Sequence, residues 1–244
     1  MQSFSYNPAH LLPEIRKPQA PRGAIVVCLG SEFRRLARIM IVRLLKSGWQ
    51  YPIIAFSDYV ENSFPVPIMQ IPVLHDMNSH NGHLYKINSY FLTPFLDTLF
   101  LDADLLMGSD ISDIWRFSGN CLSIVQERIT PKLFNGPMDN KERNDTIKIC
   151  PHDFPYYNSG VMLYRKCKEV ENLFRTWHLE WRGKQDQPAL CRSLCITKTP
   201  IIEMPLTYNF MLNHNSGIRE ARAALKTNKI VHFWCGLKHL MSAL

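Results

Sequence analysis

Along most of the 244 residues, short solid apolar runs alternate with longer stretches in which apolar positions recur at helical spacing. Ala24 to Leu29 is one such run and stops at Gly30-Ser31, as a buried strand followed by a turn does. Phe33, Leu36, Ala37, Met40, Ile41 and Leu44 then recur every three or four residues, which predicts an amphipathic helix ending near Gly48. Ile53 to Phe56 reads as a second strand. Strand, helix and strand joined by short connections open an α/β fold, with a nucleotide site expected at the C-terminal end of the first strand.

The pattern continues in the same manner. Val66 to Leu74 contains Pro67 and Pro72 and so predicts an edge strand. Leu84 to Leu96 predicts a helix. Thr98 to Leu101 is a buried strand running into Asp102-Ala103-Asp104, and Ile111, Ile114 and Trp115 predict a short helix capped by Ser109 or Asp110. Cys121 to Val125 is another strand. Gln126 to Pro155 has weak periodicity and reads as a long loop of the kind that covers functional sites. Tyr157 to Tyr164 (strand), Lys168 to Trp181 and Asp186 to Leu194 (helices), and Ile230 to Phe233 (strand) complete the reading.

Composition narrows the class. At 46% hydrophobic residues there is enough apolar material for one sizeable core. No segment approaches the roughly 18–20 apolar residues of a membrane span, and the N-terminal stretch lacks a signal-peptide apolar run, so a cytoplasmic location is expected. Residues 1–23, with Pro8, Pro13, Pro18 and Pro21, read as an extended arm, and 24–244 as the domain. Seven cysteines without repeating spacing indicate reduced, mostly buried thiols, and Cys191 and Cys195 have no histidine at zinc spacing. Lys and Arg total 28 against 21 Asp and Glu, a net charge of +7 that suits an anionic partner. The basic residues are scattered and do not interleave with aromatics, which argues against nucleic acid and leaves a nucleotide diphosphate.

Asp102-Ala103-Asp104 carries the candidate chemistry. Two carboxylates about 5 Å apart at the end of a buried strand repel by roughly 3 kcal/mol at an effective dielectric of 20. A divalent cation removes that repulsion, and oxygen ligands suit Mg²⁺ or Mn²⁺. An ion bridging two phosphates would stabilise a departing nucleoside diphosphate.

Leu101-Asp102-Ala103-Asp104, followed by Ile111-Ser112-Asp113-Ile114-Trp115, resembles glycosyltransferase family 8, the glycogenin-like retaining enzymes. Tyr157-Asn158-Ser159-Gly160-Val161, Gln185-Asp186-Gln187, Pro205-Leu206-Thr207-Tyr208-Asn209, the pair His232 and Lys238, and Lys86 sixteen residues before Asp102 resemble further family segments in the family's order. The resemblance spans Ala24 to Lys238. It implies a single α/β domain of the GT-A type, with a Rossmann-like, mixed, mainly parallel sheet flanked by helices. It also implies a metal held by Asp102, Asp104 and His232, with Mn²⁺ better suited than Mg²⁺ to an imidazole beside two carboxylates. Asp186 and Gln187 would lie near the anomeric carbon as catalytic residues. Cys28, Gly30, Ser31, Lys86, Asp102, Ala103, Asn158, Ser159, Gly236 and Lys238 would bind the donor, with Lys238 on diphosphate oxygens.

The implied reaction is Mn²⁺-dependent transfer of a hexose, glucose or galactose first, from a UDP-sugar to a saccharide or glycoconjugate acceptor, with retention. Phe33 is a candidate to stack on the base. The terminal element departs from the family pattern: Gly236 is four residues from His232 rather than three, and His239-Leu240 replaces Pro-Trp. Gly183 stands where glycogenin-like members carry another acid, and no tyrosine lies between Tyr208 and His232, which argues against a self-glucosylating primer. Two rival readings are a catalytically silent nucleotide-sugar binder and an Asp-nucleophile phosphatase. The latter places its Asp-x-Asp at the opening of the fold, not midway along the chain.

Overall fold

A computed structural model describes residues 14–71, 81–183, 185–213 and 215–233. Gly236 and Lys238 therefore lie outside the described residues. Strand β1 spans Ala20–Val27, so residues 20–23, expected in the arm, belong to the sheet. Helix α1 (Gly30–Lys46) buries Leu36, Ala37, Met40, Ile41 and Leu44, the predicted stripe. It stops where Gly48 takes φ +106°, a left-handed conformation that suits glycine at a helix end. β2 (Ile53–Ser57) and the short edge strand β3 (Ile68–Gln70) follow, both parallel to their neighbours.

The helix expected to Leu96 breaks into α2 (Asn81–Ile87) and α3 (Ser89–Leu92). Pro94 cannot continue a helix and disfavours it at the residue before, and β4 (Phe95–Leu101) starts directly afterwards. β5 (Leu105–Met107) precedes a 3-10 helix, Ser112–Phe117. Ahead of it the Asp110 carboxylate accepts the Ser112 N–H at 2.8 Å and its hydroxyl at 2.7 Å. Then come β6 (Leu122–Gln126), α4 (Asn140–Ile147), β7 (Tyr157–Arg165), α5 (Lys168–Glu180), α6 (Asp186–Thr197), β8 (Ile201–Glu203), β9 (Phe210–Met211), α7 (Ile218–Thr227) and β10 (Ile230–His232).

Seven strands form one sheet in the order β3-β2-β1-β4-β7-β6-β8. Only β7 runs against its neighbours, β4 and β6, so the sheet is mixed and mainly parallel as expected. Side chains alternate between its two faces. Ala24, Val26, Leu99, Leu101, Val161 and Leu163 pack on the α1 side. Ile25, Phe100, Met162 and Tyr164 pack on the side of α2, α5 and α6. A second sheet, β5-β10-β9, pairs His232 with Leu105, and Phe233 N–H donates to the Asp104 carbonyl at 2.9 Å. This small sheet brings the end of the chain beside Asp102-Ala103-Asp104.

The stretch 126–155, expected as a loop, contains α4 and is tied down. Asp139 caps α4 by accepting the Glu142 N–H at 2.8 Å. Fully buried Arg192 on α6 holds Glu142 (3.2 Å) and Thr146 (3.1 Å) of α4, as well as Glu180 at 3.0 Å. Cys28, Cys121, Cys150, Cys191 and Cys195 are buried free thiols and Cys167 is half-buried, as expected for reduced cysteines. Among the described residues no helix is long and apolar enough to cross a membrane.

Candidate active site

β4 delivers Asp102 and Asp104 to the C-terminal edge of the sheet, where the Asp102 N–H donates to the Gly160 carbonyl at 2.8 Å. Asp102, Asp104 and His232 offer ligand atoms that all lie within 4.8 Å of one another. The His232 Nε2 stands 3.3 Å from Asp104, while Nδ1 faces the Asn209 side-chain oxygen at 3.1 Å. That bond fixes the ring and directs Nε2 at the carboxylates, the support expected of a metal-binding histidine. Asn209 in turn donates to Asn158 at 2.8 Å, and Asn158 donates to Glu127 at 2.9 Å. Gly160 is required beneath the ring, because a Cβ there would lie 2.4 Å from His232 Cε1. Two carboxylates and an oriented imidazole fit a divalent cation.

Electrostatics separate the two aspartates. Burial, helped by the like charge of Asp104, raises the Asp102 carboxyl above its ordinary pKa despite the nearby Lys86. Burial also pushes Asp104 upward, but His232 outweighs it and holds Asp104 below the usual range. Burial alone would lower His232; the Asp104 carboxylate instead raises it.

A second charged cluster adjoins the first. Lys86 on α2 donates to Asp102 at 2.8 Å and to Ser159 at 3.3 Å, and lies 3.4 Å from Asp186. Burial works against its charge, yet Asp102 and Asp186 keep it firmly protonated. Asp186, at the first turn of α6, accepts from the Ser159 hydroxyl and pairs with His83 Nδ1 at 2.9 Å. Burial would raise its pKa, but Lys86 and His83 hold it well below the carboxylate range.

Both clusters line one cavity of about 580 Å³. Apolar side chains, among them Val27, Leu29, Phe33 and Leu36, share its wall with polar ones, among them Lys86, Asp102, Asp104, Asp186, Gln187 and His232, and with Ala103. Phe33, half exposed, lines the cavity instead of packing in the core. Asn158 and Ser159 stand behind the lining and act through hydrogen bonds. The Cys28 thiol is buried against the Phe56 carbonyl at 3.6 Å, and burial pushes its pKa up to about 12. Neither it nor Gly30 or Ser31 contributes to the wall, although the Gly30 N–H binds Asp58 at 3.0 Å. Their neighbours Val27, Leu29 and Phe33 line the cavity instead.

Among the wall residues that the sequence reading did not single out are Glu127 and His83. Glu127 is 5% exposed and accepts from Asn158 and from the Ile129 N–H at 3.1 Å. It follows β6 directly, much as Asp102 follows β4. His83 lies three residues before Lys86 on the same helix face, a spacing that could have flagged it.

The sequence model of glycosyl transferase family 8 matches residues 68–239. The fold is that of the GT-A glycosyltransferases. The chain belongs to glycosyltransferase family 8, a family of retaining sugar transferases. No curated protein matches it by sequence. Among solved structures, the apo bifunctional glycosyltransferase WbbM matches with TM-score 0.60 at 13% identity, over 94% of this chain and 47% of its own. This chain therefore spans about half the length of WbbM. Mouse xyloside xylosyltransferase 1, apo form, matches with TM-score 0.56 at 14% identity, over 88% and 98%. The galactosyltransferase LgtC, in complex with donor and acceptor sugar analogues, matches with TM-score 0.59 at 10% identity, over 87% of each chain.

Proposed function

We propose that this protein transfers a hexose, glucose or galactose, from a UDP-sugar to a saccharide or glycoconjugate acceptor, with a divalent cation, preferably Mn²⁺, held by Asp102, Asp104 and His232. The observation that carries the reading is the convergence of those three ligand atoms within 4.8 Å at the wall of a cavity lined by both apolar and charged side chains. The cation, when bound, supplies positive charge for a diphosphate leaving group. The chain's own residues do the rest. Phe33 and its apolar neighbours shelter the base, and Lys86, held between Asp102 and Asp186, sets the electrostatics at the sugar end. Asp186 and Gln187, at the start of α6, stand by the anomeric carbon. Lys238 and Gly236, outside the described residues, complete the diphosphate contacts in this reading, and the chain from β1 onward forms the catalytic domain.

The test is UDP release from UDP-glucose and from UDP-galactose over a panel of saccharide acceptors, with Mn²⁺ or with chelator. Release that needs both acceptor and metal supports the proposal. Release from neither donor across the panel contradicts the hexose assignment.

A further inference from the structure

Asn158, on β7, is 2% exposed and is not among the residues that line the cavity. A side-chain amide has two N–H donors and an oxygen with two lone pairs. Protein atoms match that capacity. The oxygen accepts the Gly160 N–H at 2.9 Å and the Asn209 amide at 2.8 Å. The nitrogen donates to a Glu127 carboxylate oxygen at 2.9 Å and meets the Met211 sulfur, a weak acceptor, at 4.0 Å. Little is left over for a sugar hydroxyl.

These bonds also have a fixed direction. A backbone N–H only donates and a carboxylate accepts, so Gly160 and Glu127 together set which way the Asn158 amide faces. Asn209 must then turn its N–H towards Asn158 and its oxygen towards His232 Nδ1, 3.1 Å away. In that arrangement a neutral imidazole carries its proton on Nδ1, and Nε2 keeps the lone pair that a metal needs. Asn209 is 2% exposed and His232 5%, so a broken link leaves buried polar groups without a partner.

From this relay we infer that Asn158 is a positioning residue for the metal ligand His232, acting through Asn209, and not a contact of the donor sugar. The inference departs from the donor-binding role that resemblance implies for Asn158. It rests on the metal site of the proposed function.

The experiment titrates Mn²⁺ alone, read by electron paramagnetic resonance of the free ion, into wild type, Asn158→Leu and the double variant Glu127→Gln with Asn158→Asp. Leucine keeps the bulk and removes the relay, so Mn²⁺ affinity should fall by about tenfold with no nucleotide present. In the double variant the carboxylate at 158 still accepts from Gly160 and Asn209, and the amide at 127 donates to it. Its Mn²⁺ affinity should stay within about threefold of wild type. Calorimetry in saturating Mn²⁺ then compares UDP with UDP-glucose and UDP-galactose. The ratio of UDP-sugar to UDP affinity should be the same in all three proteins. An Asn158→Leu protein that melts as a folded domain and holds Mn²⁺ as tightly as wild type would overturn the inference. So would a UDP-sugar weakened in either variant while UDP is not, which is the mark of a sugar contact. Should Asn158→Leu not fold, the double variant decides: Mn²⁺ affinity and ratio both kept support the inference, and loss of either overturns it. Wild type that binds no Mn²⁺ would sink the metal site, and the inference with it. Variants departing from these outcomes against a competent wild type would refute the inference alone.

Discussion

Replacing Gly160 by alanine tests whether the position of His232 is built from beneath. An ideal Cβ at residue 160 would lie 2.4 Å from His232 Cε1, 2.8 Å from its Nδ1 and 3.0 Å from the Asn158 side-chain oxygen. Ordinary contact begins near 3.4 Å, so the ring must retreat by about 3.4 − 2.4 = 1.0 Å. It cannot do so freely, because Asn209 holds Nδ1, Asp104 faces Nε2 and β10 is hydrogen-bonded on both sides. Overpacking of this kind costs about 1–3 kcal/mol of stability, little enough for the domain to stay folded. A metal ligand displaced by that much should weaken Mn²⁺ binding about 10–100-fold. Transfer should fall by about 10²-fold, the usual cost of a 1 Å misplacement.

The assay is electron paramagnetic resonance of free Mn²⁺ during titration, with a thermal melt of the same samples. Gly217→Ser serves as the control. Nothing lies within 4 Å of a Cβ at that position, and a serine at the N-cap of α7 should leave metal affinity unchanged and stability equal or slightly higher. A folded Gly160→Ala protein with Mn²⁺ affinity within about twofold of wild type would refute the steric argument.

Three further outcomes are expected. Arg192→Met leaves Glu142 and Glu180 without their buried cation, so urea denaturation should show a loss of about 3–5 kcal/mol, and proteolysis within 127–155 should quicken; a loss below about 1 kcal/mol would show that Arg192 does not pin α4. Burial raises the Asp97 carboxyl, but the two bonds from Arg165, at 2.7 and 3.0 Å, outweigh it and hold the pKa below the usual value. A depressed carboxylate contributes stability above its unfolded pKa of about 3.9 and loses it as pH falls through the folded value. The stability gap between wild type and Asp97→Asn, measured by urea unfolding, should therefore be widest near pH 7 and close towards pH 3; a pH-independent gap would contradict this. Asp104→Asn should abolish transfer while leaving the melting curve of a folded protein, and wild-type activity in that variant would remove Asp104 from the metal site.

The large elements were readable because each buries a continuous apolar stripe. β1, α1, β4, β7, α5 and α6 all lie close to their expected spans, and the Asp102 and Asp104 pair stands where its strand predicted. The rest escaped for identifiable reasons. The buried face of α4 is made of Glu142 and Thr146, which meet Arg192 rather than a hydrophobic neighbour, so the segment has no apolar periodicity. α7 buries Ala221 and Ala224, which stand out little from the polar residues around them. β5 and β9 have three and two residues, too few for alternation to show, yet they pair with β10, itself expected as a strand, in the sheet that places His232 beside Asp104. His83 and Glu127 were invisible as site residues because their roles come from partners far away in the chain: Asp186 for one, Asn158 and the His232 relay for the other.

The central claim is a metal-dependent site for a uridine diphosphate, and titration calorimetry tests it most directly: UDP into the wild-type protein, once in Mn²⁺ and once in chelator. The account predicts binding in Mn²⁺ that weakens by at least about tenfold in chelator. Binding of equal strength in both, or none in either, would contradict it.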